Sequence, residues 1–319
     1  MNILEVRNLT TRFSTARGMV RAVERVSFHL KKGEILGLIG ESGCGKSTVG
    51  LSLLRLVEPP GRIVTGQVLL DGVDLMKKSE SEMNDIRWKL ISYIPQSAMN
   101  ALNPIYSVGW QIREALQRHE GYSLGRARAR VAELLESVGI AASRAGSYPH
   151  EMSGGMKQRA VIAMALACSP KVVISDEATT GLDVMTQAQV LHVIKTLQSR
   201  LGLSMLFISH DLPLVANICE RIAIMYAGRL VELLTVDQLR RQPLHPYTQG
   251  LMSSFIDLKA PLRRLESIPG SVPDLTDLPC GCGFHPRCCQ CGGDCRCEAP
   301  ELVEVEPDHW VACCKVVRE

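Results

Sequence analysis

Aromatic side chains are scarce in this chain: Phe, Tyr and Trp make up 4 % of its 319 residues. A surface that stacks successive bases depends on them, so the composition argues against single-stranded nucleic acid as a partner. Neither sign of charge dominates, the formal net charge being +3, and nothing points to the strongly basic face that a duplex requires. The arginines from Arg126 to Arg130 alternate with alanine and read as the solvated side of an amphipathic helix. No run approaches the roughly 20 apolar residues that span a bilayer. The longest apolar stretch, Ala160 to Cys168, reads as a core helix. Acid arrives at Glu5 before any apolar segment of useful length, which is not the pattern of a secretory signal. The chain is therefore expected in the cytosol, and any work at a membrane needs spans supplied by other subunits. Internal repeats and low-complexity segments are also missing, and the length fits two units of roughly 150 residues each.

What is present begins with Gly40-Glu41-Ser42-Gly43-Cys44-Gly45-Lys46-Ser47-Thr48, a phosphate-binding loop of the G-x-x-x-x-G-K-[ST] type. The apolar run Glu34 to Ile39 before it reads as a buried strand and Val49 to Leu56 after it as a helix, the context the motif needs. Glycines let backbone N–H groups curl round a phosphate, and the helix N-terminus adds partial positive charge. Lys46 can reach the β- and γ-phosphates, and Ser47 can offer its hydroxyl to Mg²⁺. Further along, Ser153-Gly154-Gly155-Met156-Lys157-Gln158-Arg159 opens a helix whose N-terminus can face an anion from outside the chain. Val172 to Glu177 reads as a buried strand ending in an acid pair. Asp176 can hold the Mg²⁺ shell, and Glu177 can orient or deprotonate a water. Gly181-Leu182-Asp183 and, after the apolar strand Ser204 to Ile208, Ser209-His210-Asp211 complete the series.

This ordered set resembles the ATP-binding subunit of an ABC transporter. The resemblance makes Gly40 to Thr48 the Walker A loop, Gln96 the Q-loop glutamine and a Mg²⁺ contact, and Ser153 to Gln158 the signature. It makes Asp176 the Walker B acid, Glu177 the catalytic glutamate, Asp183 the D-loop aspartate, His210 the switch histidine and Phe13 the ring that stacks on adenine. Met152 stands where the family usually has leucine and Ala178 where it usually has proline; neither change removes a chemical group. The implied fold is α/β, a P-loop NTPase domain over residues 1–235 with a helical insertion at about 97–165. A small irregular cysteine-rich extension over 236–319 follows.

The extension narrows the group. His245-Pro246-Tyr247-Thr248-Gln249-Gly250-Leu251, Ile268-Pro269-Gly270, Pro273-Asp274-Leu275 and Cys282-Gly283-Phe284-His285-Pro286-Arg287-Cys288 resemble the C-terminal region of oligopeptide/dipeptide importers. That likeness implies ATP and Mg²⁺ as cofactors, a second ATPase subunit (a paralogue), two transmembrane permeases and an extracytoplasmic substrate-binding protein as partners. It places the chain peripherally at the cytoplasmic face of the inner membrane. Peptide import leads; importers of nickel chelates or other small solutes, a non-transport ABC ATPase on nucleic acid or ribosomes, and an interaction subunit with a dead site are the alternatives.

Nine of the twelve cysteines lie between Cys280 and Cys314. A cytosolic chain rarely uses such a cluster for disulfides, so metal ligation is the better expectation. The family pattern picks out Cys282, Cys288, Cys295 and Cys313, with five, six and seventeen residues between them. That is wider than the usual zinc knuckle. Thiolates so spaced allow a [4Fe–4S] cluster, to which the resemblance points; Zn²⁺ or no metal are the alternatives. Cys280, Cys289, Cys291, Cys297 and Cys314 are extra to the pattern, and Cys168 and Cys219 read as core.

Overall fold

The computed structural model describes residues 1–96, 101–253 and 268–317. The 97–100 start expected for the helical insertion therefore lies outside the described residues, as does 254–267 of the tail. The chain forms two compact units, each discontinuous in sequence. One holds Met1–Leu4, Leu30–Glu34 and Leu69–Phe207; the other holds Glu5–His29, Ile35–Val68 and Ile208–Glu319.

In the second unit, the strand Ile35–Ile39 is buried along its whole length and runs parallel to Arg221–Tyr226, with Leu36 opposite Arg221 and Ile39 opposite Ile224. A strand covered on both faces reads as a continuous apolar run rather than an alternating one. Each fully buried leucine here, such as Leu36 and Leu38, contributes on the order of 1.5–3 kcal/mol relative to exposure. The chain then turns through Ala227 and Gly228, at φ 45° and 83°. Both residues have positive φ, as in the two-residue turn whose twist matches flanking strands. Arg229–Thr235 returns antiparallel. On its far edge the tail adds His309–Val311, with Glu232 opposite Val311, and then Val303–Glu306. The extension called irregular from its sequence thus contains a hairpin that continues this sheet. A separate sheet places Gly18–Lys31, Asn2–Thr15 and Gly61–Leu70 side by side in that order.

In the first unit, Ile91–Ile94 runs parallel to Val172–Asp176. Helices dominate between them. Val108–Glu120 and Leu124–Ser137 are helices. Ile112, Ala115 and Leu116 on the first helix and Val131, Leu134 and Leu135 on the second are buried at helical spacing, and these helices pack together. Ser107, Ser123, Ser153 and Asp183 each cap a helix by accepting a backbone N–H from three residues on. Each cap stabilises its helix by about 1 kcal/mol.

Candidate functional site

The phosphate loop lies in the second unit. Gly45 has φ 106°, a conformation that L side chains rarely adopt, and a Cβ there would overlap the carbonyl of Ala22; only glycine fits. The helix Lys46–Leu53 starts immediately after it, carrying no side-chain cap and no acid in its first turn. Its leading N–H groups are thus suited to an external anion. Lys46 is buried and folds back across the loop, donating to the carbonyl oxygens of Gly40 at 2.7 Å and Glu41 at 3.0 Å. That holds the loop curled around the position of its ammonium group. Cys44 is fully buried, and burial raises its thiol pKa while the Lys46 charge works against the rise. It fills space and has little thiolate character.

Two residues read from the sequence only as tail markers turn out to support this loop. Tyr247 is fully buried, and its hydroxyl accepts the Glu41 N–H at 3.0 Å. Burial, with the Glu41 charge adding to it, keeps that phenol protonated. Arg287, 7 % exposed, pairs with Glu41 Oε2 at 2.8 Å. Tyr226 packs edge-on against Tyr247 and Phe284, at 4.7 and 5.2 Å between ring centroids, and forms the wall behind both contacts. The only signal in the sequence is the pair of strings His245-Pro246-Tyr247-Thr248 and Phe284-His285-Pro286-Arg287, which says nothing about where they dock. Phe13 is half-buried at the end of Asn2–Thr15, its ring over Gly61, where any Cβ would meet it. His210 is exposed, following the strand Ser204–Ser209 and preceding Asp211, which caps Leu212–Ile218.

The remaining expected residues lie in the first unit. Asp176 ends the buried strand Val172–Asp176 and accepts the Tyr93 hydroxyl at 2.6 Å. Burial first, and then this contact, raise the Tyr93 pKa, so Tyr93 stays a donor and fixes the carboxylate. Gln96 Nε2 donates to Glu177 Oε2 at 2.8 Å, and Thr180 donates to the same oxygen at 3.2 Å. The structure thus brings Gln96 and Glu177 together. Glu177 adopts φ 45°, a backbone state uncommon for a non-glycine residue that clusters at functional positions. Ser153 Oγ accepts the Met156 N–H at 3.3 Å, so Gly154 and Gly155 open the helix Gly154–Ala165. Asp183 accepts the Thr186 N–H at 3.0 Å and its hydroxyl at 2.6 Å. Those two hydrogen bonds lower its pKa. Met152 is buried, as is Ala178.

In the tail, Cys282, Cys288, Cys295 and Cys313 line one pocket, together with Cys314, His245 and His285. All twelve cysteines are free thiols. Burial pushes Cys282 and Cys288 up to about 11, and the neighbouring Cys295 and Cys313 add to the rise for both. Among the described residues no group of three or more His, Cys, Asp or Glu is set to hold a metal ion. No described helix is long and apolar enough to cross a membrane.

A glycine loop curled at the start of a helix, and a buried strand ending in an acid pair, define a P-loop nucleotide-binding protein. Residues 23–180 match the ABC transporter family, and residues 231–295 match the oligopeptide/dipeptide transporter C-terminal region. The chain is 47 % identical, over 98 % of its length and 94 % of the other, to a probable peptide ABC transporter ATP-binding protein of Sinorhizobium fredii. It is 46 % identical, over 97 % of its length and 87 % of the other, to the oligopeptide transport ATP-binding protein OppD of Bacillus subtilis. The dimeric post-hydrolysis structure of the ATP-binding cassette MJ0796, bound to ADP and Pi, superposes with a TM-score of 0.65 at 25 % identity over 73 % of this chain and 98 % of that one. The chain belongs to the ATP-binding proteins of ABC transporters, in the branch that carries the oligopeptide/dipeptide transporter C-terminal region.

Proposed function

We propose that this chain is the ATP-hydrolysing subunit that energises an importer of di- or oligopeptides. The observation that carries the proposal is a complete set of phosphate-transfer groups joined to the importer-type C-terminal region. Lys46 would neutralise the β- and γ-phosphates. The hydroxyl of Ser47, the amide oxygen of Gln96 and the carboxylate of Asp176 are oxygen donors of the kind Mg²⁺ takes. Mg²⁺ would supply charge neutralisation along the phosphates. Glu177 would take a proton from the water that attacks the γ-phosphorus; the bond to the β-phosphate oxygen breaks, leaving ADP and inorganic phosphate. His210 would contact the γ-phosphate, and Phe13 would stack on adenine. The loop Ser153-Gly154-Gly155, with Asp183, would close over the nucleotide held by a second, paralogous ATPase subunit. Closure and release of that pair would move two membrane permeases, to which an extracytoplasmic binding protein delivers the peptide. The chain itself would sit peripherally on the cytoplasmic face of the inner membrane.

The tail would hold a metal centre through Cys282, Cys288, Cys295 and Cys313. Their convergence on one pocket supports a thiolate donor set, which suits [4Fe–4S] or Zn²⁺. A centre there would staple the extension by coupling binding to folding, outside the catalytic chemistry.

Purification from cells with bound partners, reconstitution in liposomes and measurement of peptide-stimulated ATP turnover test the transport proposal. Permeases that co-purify and turnover that disappears in Lys46→Ala are the expected results; turnover surviving that substitution would refute it. Anaerobic purification with iron, sulfide and zinc analysis tests the metal centre. Stoichiometric zinc without iron refutes the cluster, and neither metal in a folded anaerobic sample refutes the centre itself.

A further inference from the structure

Arg287 is nearly enclosed, and each of its polar contacts belongs to a different segment of the chain. Its Nε donates to the carbonyl of Pro269 at 2.8 Å. One terminal nitrogen donates to Glu41 Oε2 at 2.8 Å and lies 3.4 Å from the Tyr226 hydroxyl. Glu41 in turn is held from three directions. Arg287 takes its carboxylate, Tyr247 accepts its N–H at 3.0 Å, and its carbonyl accepts Lys46 Nζ at 3.0 Å. The last contact matters most, because Lys46 is the cation of the phosphate loop. A side chain more than 240 positions away in sequence is therefore one residue removed from it. A mere packing residue would not need a buried guanidinium; an arginine buried without its carboxylate is costly, and the pair is strong because it is charge-assisted.

We propose that Arg287 is a positioning residue of the nucleotide site, so that the C-terminal extension holds the phosphate loop in its ATP-binding shape through Glu41. The inference rests on the ATP-binding reading of that loop. Glu41 occupies the first variable position of the loop and offers no group that a phosphate would want, since its charge has the wrong sign. Neutralised by Arg287, it becomes an anchor instead. With the anchor in place, the backbone at Gly40 and Glu41 is fixed and presents the carbonyl oxygens that Lys46 spans. Without it, an unpaired carboxylate stands beside the site, where it repels the phosphates and competes for Lys46. Arg287 also directly precedes Cys288 on the turn His285–Arg287, whose Cys288 lines the cysteine pocket. The order of the tail is thereby tied to the order of the loop.

The test uses the full chain in the complex purified from cells, with MgATP as the probe. MgATP affinity, KM and kcat are measured for Arg287→Ala, Glu41→Ala, the double variant and Arg287→Lys. Arg287→Ala is expected to weaken MgATP binding and raise KM roughly tenfold, the effect of losing one charge-assisted hydrogen bond. At saturating ATP its kcat should stay within about twofold, because the hydrolytic groups are untouched. Glu41→Ala removes the anchor and the stray charge together, so it should shift KM less. The double variant should resemble Glu41→Ala rather than multiply the two effects, since the residues act on each other. Arg287→Lys should recover part of the affinity. Wild-type affinity in Arg287→Ala, multiplied effects in the double variant, or a fall in kcat with unchanged affinity would each overturn the proposal. Should Arg287→Ala fail to fold, Arg287→Lys carries the test, and wild-type MgATP affinity there would count against it. Lys46→Ala separates the two levels of inference. If it retains full MgATP affinity, the loop is not the nucleotide site and both ideas fall. If it abolishes binding while the Arg287 variants bind normally, the positioning role alone falls.

Discussion

The phosphate loop and the cysteine pocket both shield thiols, yet they do so in opposite electrostatic company. Cys44 sits 3.9 Å from the ammonium of Lys46, whose charge opposes the effect of burial on the thiol. Cys282 and Cys288 have other thiols as neighbours, and these reinforce the effect of burial. The loop is built from contiguous residues around a cation and suits an anionic ligand. The tail pocket is assembled from four separated cysteines, and burial together with the neighbouring thiols keeps Cys282 and Cys288 protonated.

That contrast can be broken by finding nucleotide chemistry that depends on the tail, or sharpened by finding it confined to the cassette. The largest expected effect is on Glu177→Gln. Losing the carboxylate proposed to take the proton should lower ATP turnover by about 10² or more while ATP still binds and a closed dimer accumulates. The metal content of the tail should be the same as in the wild type. Turnover and native mass measured with ATP present decide it, and wild-type turnover would sink the assignment.

Acid should find the tail before the loop. His245 is buried beside Glu232, and burial lowers its pKa to about 4 although Glu232 pulls the other way. An unfolded histidine titrates near 6.5, so between those values the unfolded chain binds more protons than the folded one. Stability is complete above about pH 6.5 and is lost as the pH falls toward 4, by up to roughly 3 kcal/mol. Thermal melts from pH 7.5 to 4.5 on wild type and His245→Asn check this. The variant should show a flatter dependence, and parallel curves would remove His245 from the account.

The smallest effect concerns the adenine end. Phe13→Ala should raise the ATP KM severalfold, for a loss of about 1 kcal/mol of ring stacking, with little change in kcat. Unchanged ATP affinity would make Phe13 packing for Gly61 and nothing more.

Local chemistry was legible in the sequence. The strand expected at Glu34–Ile39 forms at Ile35–Ile39, and the acid pair ends the strand Val172–Asp176. The helix expected from Val49 begins at Lys46, because the left-handed Gly45 lets it start directly after the loop. The hairpin Val303–Val311 was not readable. Its first strand is short, exposed and acidic, and a segment of that kind becomes a strand only where a sheet edge offers its unpaired N–H and C=O groups. Here that edge is His309–Val311, which itself pairs with Arg229–Thr235.

By itself, the sequence determined the phosphate-loop motif at Gly40 to Thr48, since nine consecutive residues carry the glycine spacing and the lysine together. It also determined that thiols crowd the tail. Only the tertiary structure decided that Arg287 and Tyr247 belong to that loop and that four cysteines share one pocket. Such contacts join positions far apart along the chain. Burial and hydrogen bonding select them from many pairings that composition and spacing leave equivalent.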